Sequence, residues 1–276
     1  MNELSMSRCR VTLLWAALIT IAAAAPAALA AEPPAVSHNA GPNPARLPDG
    51  HPNWTGSWVP PGGMMEKYNG PSGLDNVPAG VQANVEARDP TMPDLKSPYL
   101  EGFQNLVEQA KKGPLPSKTA MCYPPGMPGM MGMIYGMEIL QTPKIVAITS
   151  EWQAASRRIW IDAKHPPADE LDATYTGDSI GHWEGDTLVV DTLGLRGDVP
   201  LTRIPFNHGA NTRIIERFHQ TAPDMLVDDM TIIDEAVFAK PWVRTYRYHY
   251  RPDLRLQEYV CLDNNRNVDD QGRQKF

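Results

Sequence analysis

Ile180-Gly-His-Trp-Glu-Gly-Asp-Thr-Leu-Val-Val-Asp-Thr-Leu193 carries the fold in miniature. Ile180 to Glu184 and Thr187 to Leu193 read as strands, and Gly185-Asp186 between them is a compact hairpin signal. The same texture continues on either side. Ile145 to Trp152 and Arg158 to Asp162 precede it. Thr212 to Gln220, Leu226 to Asp234, Trp242 to Arg251 and Leu254 to Leu262 follow, the last two joined by a turn at Arg251-Pro252-Asp253. Trp54 to Val59 adds a short strand near the start, for at least eight strands with almost no helix between them. Short connections imply antiparallel neighbours, and so many strands in succession curl into a barrel or, as the alternative, a sandwich.

Composition agrees and excludes other classes. Twenty-seven prolines and 21 glycines among 276 residues are incompatible with a helical bundle, because proline removes a helix hydrogen bond and clashes with the preceding turn. A net charge of −7 lacks the basic excess that a nucleic-acid partner requires. An apolar fraction of 42% is enough for a real core.

Before the strands the chain reads differently. Arg8 and Arg10, the largely apolar run Val11 to Ala25 and Ala28-Leu29-Ala30 form the pattern of a secretory signal, 1–30, with cleavage expected after Ala30. The run is short for a membrane span of about 20 residues. A periplasmic or secreted bacterial location follows, with no membrane partner after cleavage. An irregular Pro/Gly-rich N-terminal arm, 31–136, is expected to precede the antiparallel domain, 137–276. The arm holds a proline-rich leader, a short helix near Val81 to Ala87, and one proper helix at Ser97 to Lys112. Ser97 is its expected cap, and Leu100, Phe103, Leu106, Val107 and Ala110 share one face. Loss of Cys9 with the signal leaves Cys122 and Cys261, an even pair that in an exported chain points to one disulfide, two buried thiols being the alternative.

Several segments together resemble a large uncharacterised family of exported bacterial proteins: Leu47-Pro-Asp-Gly-His-Pro-Asn-Trp-Thr-Gly-Ser-Trp58, Cys122-Tyr-Pro-Pro-Gly-Met-Pro-Gly-Met-Met131, Glu138-Ile-Leu-Gln-Thr-Pro143, Arg157-Arg-Ile-Trp-Ile-Asp162, His165-Pro166, Gly177-Asp-Ser-Ile-Gly-His-Trp-Glu-Gly-Asp-Thr-Leu-Val-Val-Asp-Thr192, Glu216-Arg-Phe218 and Glu258-Tyr-Val-Cys261. The resemblance spans nearly the whole chain after the signal and implies no activity. The chain departs from that pattern at Ala163-Lys164, at Asn207-His208-Gly209 and at His182. Gly56-Ser57-Trp58 is similar to the opening of lipocalin-type barrels, which implies a lipocalin-like barrel whose tryptophan meets a late-strand arginine, Arg247 or Arg255 here. A barrel of about eight strands can enclose one small ligand.

Candidate chemistry comes from ionisable residues on strands. His182, Glu184 and Asp186 alternate along one strand, which permits acid–base work, although a tight turn also requires Glu184-Gly185-Asp186-Thr187. Ile214, Glu216 and Phe218 share a face, so Glu216 stands among apolar neighbours, facing either a polar-lined cavity or an arginine partner. His208 is placed in a loop above it as the other half of an acid–base pair. Trp183, Tyr248, Arg217, Met130 and Met131 are the candidate ligand-lining residues. Six methionines fall between Met121 and Met137, expected as packing, ligand lining or a soft Cu(I) site. The leading expectation is an exported enzyme acting on a small apolar or aromatic molecule by metal-free acid–base chemistry, of lyase, isomerase or hydrolase type, with no cofactor. A non-catalytic binding protein and periplasmic copper handling are the alternatives.

Overall fold

The computed structural model describes residues 46–60, 92–113, 115–116, 118, 121–200, 207–209, 211–264 and 269. The signal, the leader up to residue 45 and the helix expected at Val81 to Ala87 lie outside the described residues.

Nine strands close into one barrel: β1 Gly56–Val59, β2 Met137–Gln141, β3 Ile145–Ser150, β4 Ser156–Ile161, β5 Asp178–Glu184, β6 Thr187–Leu193, β7 Arg213–Ala222, β8 Met225–Ile233 and β9 Trp242–Tyr250. Each strand pairs with its successor, and β9 returns to β1 through Trp58↔Tyr250 and Val59↔His249. The expected lipocalin-like closure is therefore present, and the sandwich is not. Alternation explains the closure. Leu188, Val190 and Thr192 on β6, and Ile214, Glu216 and Phe218 on β7, point inward at 0–2% exposure, as a sheet closed on itself demands.

Three details differ from the sequence reading. β4 and β5 run parallel, with Ile159↔Ser179 and Ile161↔Gly181 in register. The connection 162–177 is long enough to carry the chain back across the barrel, which a parallel neighbour requires. The segment expected as a strand at Leu254 to Leu262 joins no ladder, because β1 already occupies the free edge of β9. It is held instead through Ser57 Oγ to Leu254 O at 2.9 Å, Gln257 N to Glu151 Oε2 at 3.1 Å, and packing of Tyr259 on Trp152 at 4.7 Å. Cys261 accordingly stands in a 3-10 turn, Cys261–Asn264, rather than in a last strand, and it is bonded to Cys122.

The helix α1, Tyr99–Ala110, is shorter than expected and begins from Pro98 without a side-chain cap from Ser97. Its apolar face is the one the spacing implied, with Phe103 buried and Leu100, Leu106 and Val107 packed against the core. The preceding residues anchor it to the β8–β9 connection through Lys96 N to Val237 O and Ala239 N to Asp94 O, both at 2.8 Å.

At the opposite end, near the β5–β6 and β7–β8 hairpins, aromatic rings fill the barrel. Trp54 Nε1 donates to Gln220 Oε1 at 3.2 Å, Trp58 Nε1 donates to Trp54 O at 2.8 Å, and Trp58 packs on Tyr250. Trp58 thus closes against Tyr250, while Arg247 and Arg255 are exposed. Among the described residues no helix is long and apolar enough to cross a membrane.

The disulfide spans 139 residues, so its loss should free a large loop in the unfolded chain. In the chain-entropy account a loop of that size is worth about 4 to 5 kcal/mol. Double replacement Cys122→Ser/Cys261→Ser should lower the unfolding free energy by several kcal/mol in guanidinium titrations, and an unchanged midpoint would contradict this.

Candidate functional site

The barrel interior contains a charged cluster. Arg157 on β4 is 2% exposed, and Glu216 on β7 and Asp228 on β8 are fully buried. The guanidinium binds Glu216 in a bidentate fork, Nη1 to Oε1 and Nη2 to Oε2 each at 2.8 Å. Nη2 also donates to Ser179 Oγ at 3.0 Å and Thr192 Oγ1 at 3.2 Å. Arg157 therefore reaches across β5 and β6 to β7. Burial pulls its pKa down, but the charge and hydrogen bonds of the Glu216 carboxylate together outweigh burial and raise it, so Arg157 stays charged.

Asp228 is in the opposite position. Among the described residues no hydrogen bond of ordinary geometry reaches either of its oxygens. Burial, reinforced by the neighbouring Glu216 carboxylate, pushes its pKa well above the usual carboxylate range, with Arg157 opposing. Asp228 is thereby pushed toward its neutral, proton-bearing form. Tyr248 on β9, also buried, keeps its phenolic proton because burial and then Asp228 push its pKa well up. Its hydroxyl donates to Met131 O at 2.8 Å.

The methionine-rich segment meets this cluster. A 3-10 turn, Gly129–Gly132, follows Met127, and Met127, Met130 and Met131 are at most 4% exposed. Met127 Sδ lies 3.5 Å from Arg157 Nη1. The loop is thus a plug inserted into the barrel, with Met127, Met130 and Met131 packed in the core and the Met127 thioether beside the Arg157 cation. No group of three or more His, Cys, Asp or Glu gathers in a metal-holding arrangement among the described residues.

The other sequence candidates are elsewhere. His182 and Glu184 stand on the outer face with side chains 58% and 50% exposed, 3.4 Å apart. Arg217 is also outside and binds Glu184 at 2.8 Å, which lowers the Glu184 pKa. Asp186 at the hairpin tip pairs with Arg46, so this segment has the turn chemistry its sequence also allowed. Trp183 points to the aromatic end of the barrel, stacked on His51 at 4.6 Å and against Trp54 at 5.1 Å. A cleft of about 310 Å³ opens nearby, lined by Arg46, Pro52, Asp186, Thr187, His219 and Gln220.

His208 is buried but does not pair with Glu216. Its Nδ1 donates to Gly209 O at 2.7 Å and lies 2.8 Å from Thr212 Oγ1. Thr212 in turn donates to Asp234 Oδ2 at 2.6 Å. Burial lowers the His208 pKa, leaving a neutral ring that pins the loop before β7. Glu216 has Arg157 instead, the arginine alternative that the sequence left open.

Arg157 and Asp228 escaped the sequence reading. The signal for Asp228 was present, since Leu226, Asp228, Met230 and Ile232 alternate as Ile214, Glu216 and Phe218 do. Arg157 likewise shares its face with Ile159 and Ile161, while Arg158 shares the outer face with Trp160. No protein-family model and no curated protein matches the chain.

Folding takes up a proton at Asp228 between the ordinary carboxylate pKa near 4 and its raised folded value. Stability should therefore fall as pH rises through that window, the folded state binding the additional proton. Asp228→Asn should flatten this slope in urea titrations run at several pH values, while Glu216→Gln should cost about 3 to 5 kcal/mol by stranding a buried guanidinium. An unaltered slope in the asparagine variant would remove Asp228 as its source.

Proposed function

We propose that this chain is an exported bacterial enzyme that performs acid–base chemistry on a small apolar or aromatic molecule inside its barrel. The observation that carries the reading is Asp228, a buried carboxyl without ordinary hydrogen bonds beside a bidentate Arg157–Glu216 pair. A buried carboxyl pushed toward its neutral form beside a carboxylate held by a guanidinium is a setting from which one site can supply a proton. Asp228 and Tyr248 are the proton donors to the substrate, and Glu216, held by Arg157, is the carboxylate beside them. Ser179 and Thr192 position the guanidinium. Aliphatic and thioether walls suit an apolar body and exclude water. This reading moves the acid–base pair from His208 and Glu216 to Asp228 and Glu216, and sets His182 and Glu184 outside the chemistry. The signal pattern at 1–30 supports export, and the isomerase and lyase classes best match a site built around proton transfer.

Mass spectrometry of small molecules extracted from purified Asp228→Asn protein tests it. That variant should retain a small organic molecule, and incubation with wild-type protein should convert it to an isomer or a cleavage product. Recovery of the molecule unchanged after that incubation would establish a non-catalytic binding protein instead.

A further inference from the structure

The plug also indicates what the site receives. Its polar contacts with the barrel lining are made through two hydrogen-bond acceptors. Met131 presents its carbonyl oxygen to Tyr248 at 2.8 Å, and Met127 presents its thioether to Arg157 at 3.5 Å. The rest of the insertion is flexible apolar side chain, which moulds to irregular space. The Tyr248 hydroxyl that the plug engages is a donor, and the Asp228 carboxyl beside Glu216, pushed toward its proton-bearing form, is a second. Charge narrows the class further. Glu216 already neutralises Arg157, and among the described residues a ligand carboxylate would be placed beside Glu216 and Asp228 with no second buried cation to meet it.

Resting on the acid–base reading above, we infer that the substrate is a neutral carbonyl compound with an apolar or aromatic body, whose oxygen takes the place that Met131 O holds at Tyr248. Segment 126–132 is then an internal surrogate that the substrate displaces. Its base is held at Gly126, with φ at +64°, while Met127 N donates to Tyr175 O at 2.8 Å. A Cβ at Gly126 would stand 2.5 Å from Val199 Cγ1 and 2.7 Å from Tyr175 O, contacts that backbone and packed side chain cannot easily yield. Gly126→Ala therefore unseats the plug at its base, at a distance in sequence from every acid–base residue.

The test uses acetophenone, its hydrocarbon counterpart ethylbenzene, and benzoate as probes, with binding followed by calorimetry on the full exported protein. In Gly126→Ala, acetophenone should bind at least tenfold more tightly than in wild type. It should exceed ethylbenzene, which offers no acceptor, by about fivefold, the scale of one hydrogen bond, and exceed benzoate by more. Adding Tyr248→Phe should abolish the preference for the ketone over the hydrocarbon. Met127→Ala provides a second opening should Gly126→Ala fail to fold, with the same order of probes expected. Equal binding of ketone, hydrocarbon and benzoate would overturn the carbonyl assignment while leaving an interior site standing. Equal ketone affinity in plugged and unseated proteins would overturn the surrogate role. No binding of any probe to any variant would overturn the interior site itself, and this inference with it.

Discussion

Arg157 and Glu216 form the contact around which this barrel is organised. One guanidinium on β4 joins a carboxylate on β7 and reaches hydroxyls on β5 and β6 on the way. That span crosses the parallel β4–β5 joint, the place where the otherwise antiparallel succession changes direction. A buried ion pair is not by itself a source of stability, because desolvation of both charges offsets their attraction. Its value is geometric: the pair is satisfied only when four strands are in register. The pair also sets the state of its neighbours. Burial and then the Glu216 carboxylate push Asp228 toward its proton-bearing form against the pull of Arg157, and burial and then Asp228 push the Tyr248 pKa up.

The irregular part of the chain completes the barrel rather than decorating it. β1 comes from that region and closes the sheet against β9, and Met127 to Met131 fill space that the strands alone leave open. The proline and glycine content serves this purpose. Gly126 adopts a left-handed backbone where Val199 and Tyr175 leave no room for a side chain. Closure by β1 then explains the end of the chain. Residues 251–260 find no strand edge to join and lie against Glu151, Trp152 and Ser57, and Cys261 returns to Cys122 at the root of the plug.

Local pattern made much of this readable. Period-two alternation around Gly185-Asp186 and along 213–220 marked the strands, and along 213–220 it placed Glu216 on an apolar face, because burial of one face leaves that period in the residues themselves. The even cysteine pair identified the disulfide. Proximity on one strand was a poorer guide to chemistry: His182 and Glu184 alternate correctly, but their face is the outer one. Arg157-Arg158 and Asp228-Asp229 each put one charge in and one out, and only the apolar neighbours at i±2 tell which.

By itself, then, the sequence determined the class: a strand-rich barrel with an irregular arm, a helix of known face, and a glutamate turned inward. Tertiary structure decided which residues stand around that glutamate. Arg157, Asp228, Tyr248 and the methionine plug come from distant parts of the chain, and their protonation depends on one another through a buried, weakly screened interior. Such dependence exists only once the barrel has closed, so no local pattern could have contained it.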